Sequence, residues 1–260
     1  MKKNWFLVIL GFIILSAYFQ LIPILVPLDG VFWVGFALLF FVLAHFVAKL
    51  TSLDGIKSFG YRFHQGWSKN LFTGFLIGFF AWGILYGVSY MLGRFEITGF
   101  VEPTAMIWLL VQASIGMFLG STINDAICRG YIFAHLKSSF PVWGIVIIST
   151  IIYALDDSWY EGISLHNFTF SVILGLSLSL AFAKTHSIWF TTGIHWGLNM
   201  MYSLVYGLPG SGEKGGIFIL KGVKDGWIFE VLSLIVPAIM FLSLMVYFNK
   251  GDAKEKRLDI

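Results

Sequence analysis

The sequence holds one cysteine, Cys128, in 260 residues. That excludes an internal disulfide and any metal site built from several thiolates. Charge is scarce as well: Asp, Glu, Lys and Arg make up 12% of the chain, where soluble domains average about 25%. No internal repeat recurs, which excludes a solenoid or propeller. Net charge is only +3, with the basic residues scattered among short segments, so nothing supports a nucleic-acid partner. What remains is apolar: 58% of residues are hydrophobic and the mean hydropathy is +0.83. The chain therefore reads as an all-α, polytopic integral membrane protein whose first partner is the lipid bilayer.

Eight stretches read as membrane-spanning helices. They are Trp5 to about Leu28, Val31 to Lys49, Leu71 to Leu92, Thr104 to Leu136, Pro141 to near Leu155, Asn167 to Ala183, Ile188 to Tyr206, and Trp227 to Phe248. The first run exceeds the ~7–15 apolar residues of a signal peptide and no small-residue cleavage site follows, so it is expected to remain as a span. Asp29-Gly30 supplies a tight turn after it. Thr51 to Lys69 interleaves Phe59, Tyr61, Phe63 and Trp67 with Lys57, Arg62 and Lys69, the pattern of an amphipathic linker lying at the headgroups. Gly74, Gly78, Gly83 and Gly87 fall every four or five residues along the third span and permit close helix contact. The fourth span is longer than the ~20 residues a bilayer core requires, so it must tilt, kink or project. A Gly-rich loop, Gly207 to Gly226, precedes the last span, and the tail NKGDAKEKRLDI is expected to be solvated and frayed. The whole chain, 1–260, reads as one membrane domain: N-terminal spans and linker (1–104), a core (about 105–206), then loop, last span and tail (207–260).

With eight spans both termini share a side. Loops on that side hold Lys2, Lys3, Lys49, Lys57, Arg62, Lys69, Lys137, Lys184, Lys250, Lys254, Lys256 and Arg257, against Arg94, Lys214, Lys221 and Lys224 opposite. The positive-inside rule then puts both termini in the cytoplasm.

Polar residues break the apolar pattern at three depths. Ser121 to His135 carries Asn124, Asp125 and Arg129, and Asp125 and Arg129 are four apart on one helix face. An ionisable group at bilayer depth costs ~2.5–3.5 kcal/mol on insertion scales and so points to function, although a neutralising pair can also simply hold helices together. Asp156-Asp157 ends the fifth span, four residues after Tyr153, and Asp156 is expected to be an interface residue starting a loop. On the seventh span His195 and Asn199 share a face, flanked by Gly193 and Gly197. At ~1.5 Å rise per residue, Asn124 lies roughly 20 Å, His195 about 15 Å and Asp157 about 24 Å from the cytoplasmic side, close enough in level to share a site. His45, His135 and His186 read as packing or interfacial residues, and most aromatics as lipid-facing or belt residues.

These motifs, NDAICRGYIF, YALDD and HWGLN, in this order and on separate helices, resemble the CPBP family of intramembrane proteases. That family is also called Abi and includes the type II CAAX prenyl endopeptidases. Its pattern is Glu-Glu-x-x-x-Arg, then Phe-x-x-x-His, then His-x-x-x-Asn or Asp. The likeness covers roughly Ala105 to Tyr206 and includes Arg129-Gly130 and Ser187-Ile188-Trp189. It implies a CPBP-like helical core in a bacterial-type plasma membrane and a site at Asn124, Asp125, Arg129, Asp157, His195 and Asn199. Only Arg129, His195 and Asn199 keep the family residue. Asn124 stands where the family has the glutamate thought to activate water, Asp125 is one methylene short of the second glutamate, and Asp157 stands where the first histidine belongs.

An amide cannot take a proton at neutral pH, so Asn124 cannot serve as the base. Three readings follow. The first is a degenerate family member, a pseudoprotease that binds a peptide or membrane-protein partner. The second is an active intramembrane metalloendopeptidase with Asp125 as base and Asp157 and His195 completing the site. There those two side chains would hold a divalent metal ion, with Mg, Mn or Zn all compatible with oxygen ligands plus one imidazole. The third is a transporter or ion pathway, against which stands the lack of two matching halves with broken segments.

Overall fold

Asn4 opens the first helix, its side chain accepting hydrogen bonds from the backbone N–H groups of Phe6 and Leu7. From there the computed structural model, which describes residues 4–26, 30–208 and 215–258, is helical almost throughout. The helices are α1 (Trp5–Leu25), α2 (Gly30–Leu50), α3 (Trp67–Met91), α4 (Pro103–Asp125), α5 (Ile132–Leu136), α6 (Val142–Glu161), α7 (Leu165–Thr185), α8 (Ile188–Tyr206) and α9 (Trp227–Leu258). Since α4 and α5 are one continuous rod, eight long helices correspond to the eight expected spans. Among the described residues six are long and apolar enough to cross a membrane, the α4–α5 rod of 34 residues among them. The chain is an all-α polytopic membrane protein. The two long helices outside those six, α6 and α8, carry Asp156, Asp157, His195 and Asn199.

The tightest pairing in the fold joins α3 to α8, and glycine makes it. A Cβ on Gly74 would stand 2.3 Å from the Phe190 carbonyl oxygen, and one on Gly78 would stand 2.0 Å from that of Ile194. From the other side, a Cβ on Gly193 would meet the Leu71 oxygen at 2.2 Å and one on Gly197 the Phe75 oxygen at 2.1 Å. Two small-xxx-small faces thus interlock backbone to backbone, as such motifs allow in lipid. Gly83 and Gly87, which share the spacing, lie beyond the contact: Gly87 has nothing within 4 Å and Gly83 only the end of Met201. This zipper fixes α8, and with it His195, against α3. α8 also packs on α4, while α7 packs on α6 and α9.

Four features depart from the sequence reading. The fifth span does not stop near Leu155. No glycine or proline intervenes before Gly162, so α6 runs to Glu161, and Asp156 and Asp157 are helical rather than the start of a loop. The long fourth span is interrupted by a π-helical turn, Ala126–Tyr131, between α4 and α5. A two-stranded antiparallel sheet joins β1 (Glu96–Phe100) to β2 (Phe218–Lys221), pairing Glu96 with Lys221 and Phe100 with Phe218, where loops were expected. The expected frayed tail is helical to Leu258. Asp29 of the expected turn, Lys2, Lys3 and Lys214 lie outside the described residues.

The segment between α2 and α3 divides in two. Arg62 to Gly66 is exposed. The preceding 3-10 turn, Gly55–Phe59, instead enters the bundle: Phe59 is fully buried, and the Tyr61 hydroxyl donates to the Thr122 carbonyl over 2.8 Å. Near its start, Asp54 lies 2.9 Å from Lys49, whose hydrogen bond and charge hold the Asp54 carboxyl below the usual carboxylate range.

Candidate functional site

The π turn shapes the first motif. Short π segments widen one turn of an α-helix by a residue and occur often at functional sites. Here the turn carries Arg129 and Gly130, while Asn124 and Asp125 close the α-helix before it. Arg129 Nη1 donates to both, at 2.7 Å to Asp125 Oδ1 and 3.1 Å to Asn124 Oδ1. Both charged side chains are fully buried. Gly130 leaves room for the 3-10 turn, since a Cβ there would come within 2.7 Å of Phe59 Cβ and of its carbonyl oxygen. Ser149 of α6 donates to the Cys128 carbonyl over 2.6 Å and ties the turn to the next helix.

The third motif meets the first through Asp125. Thr192 Oγ1 donates to Asp125 Oδ2 over 3.0 Å, and His195 Nδ1 lies 3.5 Å from Asp125 Oδ1 without making a hydrogen bond. Ser187 caps α8 by accepting from the Trp189 N–H, and the Trp189 indole donates to the Arg62 carbonyl over 2.9 Å, so the helix enters the bundle in a fixed register. Asn199, one turn further along α8, meets α4 one turn earlier: its amide donates to Ser121 Oγ over 3.1 Å.

The second motif meets the first through a residue the sequence reading set aside. Asn124 Nδ2 donates to Asp156 Oδ2 over 2.6 Å, and Gln20 Nε2 of α1 donates to Asp156 Oδ1. Asp157 turns to α7, accepting from Ser171 Oγ. Tyr153, at the motif's aromatic position, stacks beneath the Arg129 guanidinium, 4.2 Å from ring centroid to Cζ, and stands edge-on to His195 at 6.0 Å. The six residues singled out from sequence therefore occupy one polar stratum. Asn124, Asp125 and Arg129 form its centre and His195 borders it, whereas Asp157 and Asn199 are each engaged by serines at its edges.

Asp157 and His195 were expected to share a metal ion. They have different partners, Ser171 and Asp125 respectively, and among the described residues no three His, Cys, Asp or Glu side chains gather to hold one. The donor set does not fit an Mg, Mn or Zn centre.

Sequence reasoning missed Gln20, Asp156, Ser171 and Thr192. Sequence signals pointed to two of the four. Thr192 lies three residues before His195 and so shares its helix face, and Gln20 is a lone amide in an otherwise apolar span.

The family model described as type II CAAX prenyl endopeptidase Rce1-like matches residues 106–201. No curated protein and no solved structure matches the chain. The matched segment runs from α4 into α8 and holds all three motifs, while Gln20 and the glycines of α3 lie outside it. Residues 106–201 are thus similar to the Rce1-like family of type II CAAX prenyl endopeptidases, consistent with the CPBP family.

Proposed function

We propose that this protein uses its Rce1-like domain to bind a peptide or a membrane-protein partner rather than to cut it. The observation that carries this reading is the occupation of Asp125. One of its oxygens takes a bond from Arg129 and the other from Thr192, so the only carboxylate left in the first motif is committed to holding the core. Asn124 is likewise committed, accepting from Arg129 and donating to Asp156. Peptide hydrolysis needs a base beside the water, and acid–base assistance contributes ~10²–10⁴-fold per group. Oxyanion stabilisation alone is worth only ~10²–10³-fold, too little to show turnover of an amide.

A second reading, an active endopeptidase, has one observation in its favour: Asp156 presents a carboxylate one hydrogen bond from the position where the family has its glutamate. Cleavage of membrane-tethered peptides by the wild type, Asp125→Asn and Asp156→Asn separates the two. The binding reading expects peptide retention without turnover in the wild type. Turnover that disappears in either variant would replace it with the endopeptidase. Both termini are assigned to the cytoplasm on the loop charges, and a C-terminal reporter behaving as extracytoplasmic would reverse that orientation.

A further inference from the structure

The stratum holds three carboxylates, Asp125, Asp156 and Asp157, and Arg129 pairs with the first alone. Among the described residues no cation forms an ion pair with Asp156 or Asp157; the Arg129 charge acts on both only at longer range, and His195 on Asp157. Their partners are neutral donors, the amides of Gln20 and Asn124 and the hydroxyl of Ser171, which orient a carboxylate without neutralising it. An unneutralised charge at bilayer depth is strongly unfavourable. A second observation falls at the same place. Gln20 is 7% exposed, and its Oε1 is buried with no donor, while its Nε2 holds Asp156. Buried polar atoms ordinarily find a partner, so a buried acceptor without one beside an unpaired anion points to a missing cationic donor.

We propose that Asp156 and Gln20 Oε1 bind a monovalent cation between α1 and α6. Consecutive residues on a helix point about 100° apart, so Asp157 strengthens the negative field there rather than completing the shell. One carboxylate and one amide oxygen are too few ligands for a divalent centre. They suit an alkali ion that keeps part of its water, or a lysine ammonium, whose three N–H donors match the lone pairs of Asp156 and Gln20 Oε1. The Arg129 N–H groups without acceptors, Nε and Nη2, belong to the guanidinium stacked on Tyr153 and do not reach Asp156 as an ion pair. The site goes beyond the binding reading above and does not depend on it, because its test involves no cleavage.

The test is thermal unfolding of the purified full chain in detergent at constant ionic strength. One arm exchanges N-methyl-D-glucamine chloride for sodium or potassium chloride. A second adds a lysine-bearing peptide or its norleucine counterpart in the N-methyl-D-glucamine buffer. The site predicts a saturable rise on the order of 5 °C from the alkali ion, or from the lysine peptide but not the norleucine one, and the responding arm names the source. The rise should vanish in Asp156→Asn and in Gln20→Leu and persist in Lys184→Ala. The first variant keeps its neighbours bonded, since the Gln20 amide can turn to accept. The second covers the case in which the first fails to fold. A flat response in both arms, or an equal rise in either site variant, overturns the site and leaves Asp156 to be neutralised by a proton.

Discussion

Asn124 donates its amide to Asp156 across 2.6 Å, so the helix whose motif lacks a glutamate stands directly against a carboxylate on another helix. The pairing works because one partner is neutral. It also constrains what either position can become.

Asn124→Asp would set two carboxylates against each other in a low-dielectric setting. One donor bond would be lost and a like charge added, which should destabilise the protein by on the order of 1–3 kcal/mol. Asp156→Asn in the same chain restores a neutral partner and should recover most of the loss. A double-mutant cycle of unfolding in detergent measures the coupling. Strictly additive effects would show that the two side chains do not interact.

Among the described residues Arg129 is the one cation at the centre of the stratum, bonded to Asp125 and Asn124 and stacked on Tyr153. Arg129→Ala would leave Asp125 buried without its counter-charge, a change that typically costs ~3–5 kcal/mol. Folded yield and melting temperature should fall far more than in Lys184→Ala, where an exposed residue is altered. Equal losses in the two variants would remove the ion pair from the list of what holds this fold.

The glycines of α3 give a contrast within one helix. Gly78→Ala would drive a methyl group to 2.0 Å from the Ile194 oxygen, and backbone cannot move aside as a side chain can. Separation of α3 from α8 should cost ~1–3 kcal/mol or more. Gly87→Ala meets open space and should be neutral or slightly stabilising, since alanine is the better helix former. Melting temperatures of the two variants that agree within a degree would refute the zipper.

Much of this fold was readable because lipid makes the rules strict. A spanning segment must be helical to satisfy its backbone, so apolar runs located the eight long helices without reference to tertiary contacts. Gly193 and Gly197 were readable as a close-contact face, but which of the four α3 glycines met them depends on the crossing point, and only packing sets that. The Asp125–Arg129 pair followed from helical spacing alone. Asp156 did not. Its role depends on α6 continuing past Leu155 to Glu161 and on the packing of α6 against α4 that sets Asn124 opposite it, and the second of these is not marked by local residue type. Gln20 stood out as a lone amide in an apolar span, but its partner did not, since a contact between α1 and α6 leaves no trace in the spacing of either segment. The strands β1 and β2 were missed because they pair across a long stretch of chain, Ile97 with Leu220, with neither long enough to alternate clearly; their register appears only once the helices bring them together.

Cleavage should be recoverable, and the Asn124–Asp156 contact dictates how many changes that takes. Asn124→Glu with Asp157→His restores the family residues at two of the three altered positions and leaves Asp125, which keeps a carboxylate. In this chain, however, the new carboxyl would be pressed against Asp156, which now accepts from the Asn124 amide. Two carboxylates so close cannot both be ionised comfortably, and one of them would hold a proton instead of serving as base. Adding Asp156→Asn removes the conflict and supplies a donor for the new side chain. The triple variant should therefore cleave membrane-tethered peptides at least about 10²-fold faster than the wild type, the lower bound expected from regaining one acid–base group. The double variant should stay near the wild-type background. Turnover by the double variant equal to that of the triple would show that Asp156 does not oppose a carboxylate at position 124, and the borrowed contact between α4 and α6 would then have no bearing on the chemistry.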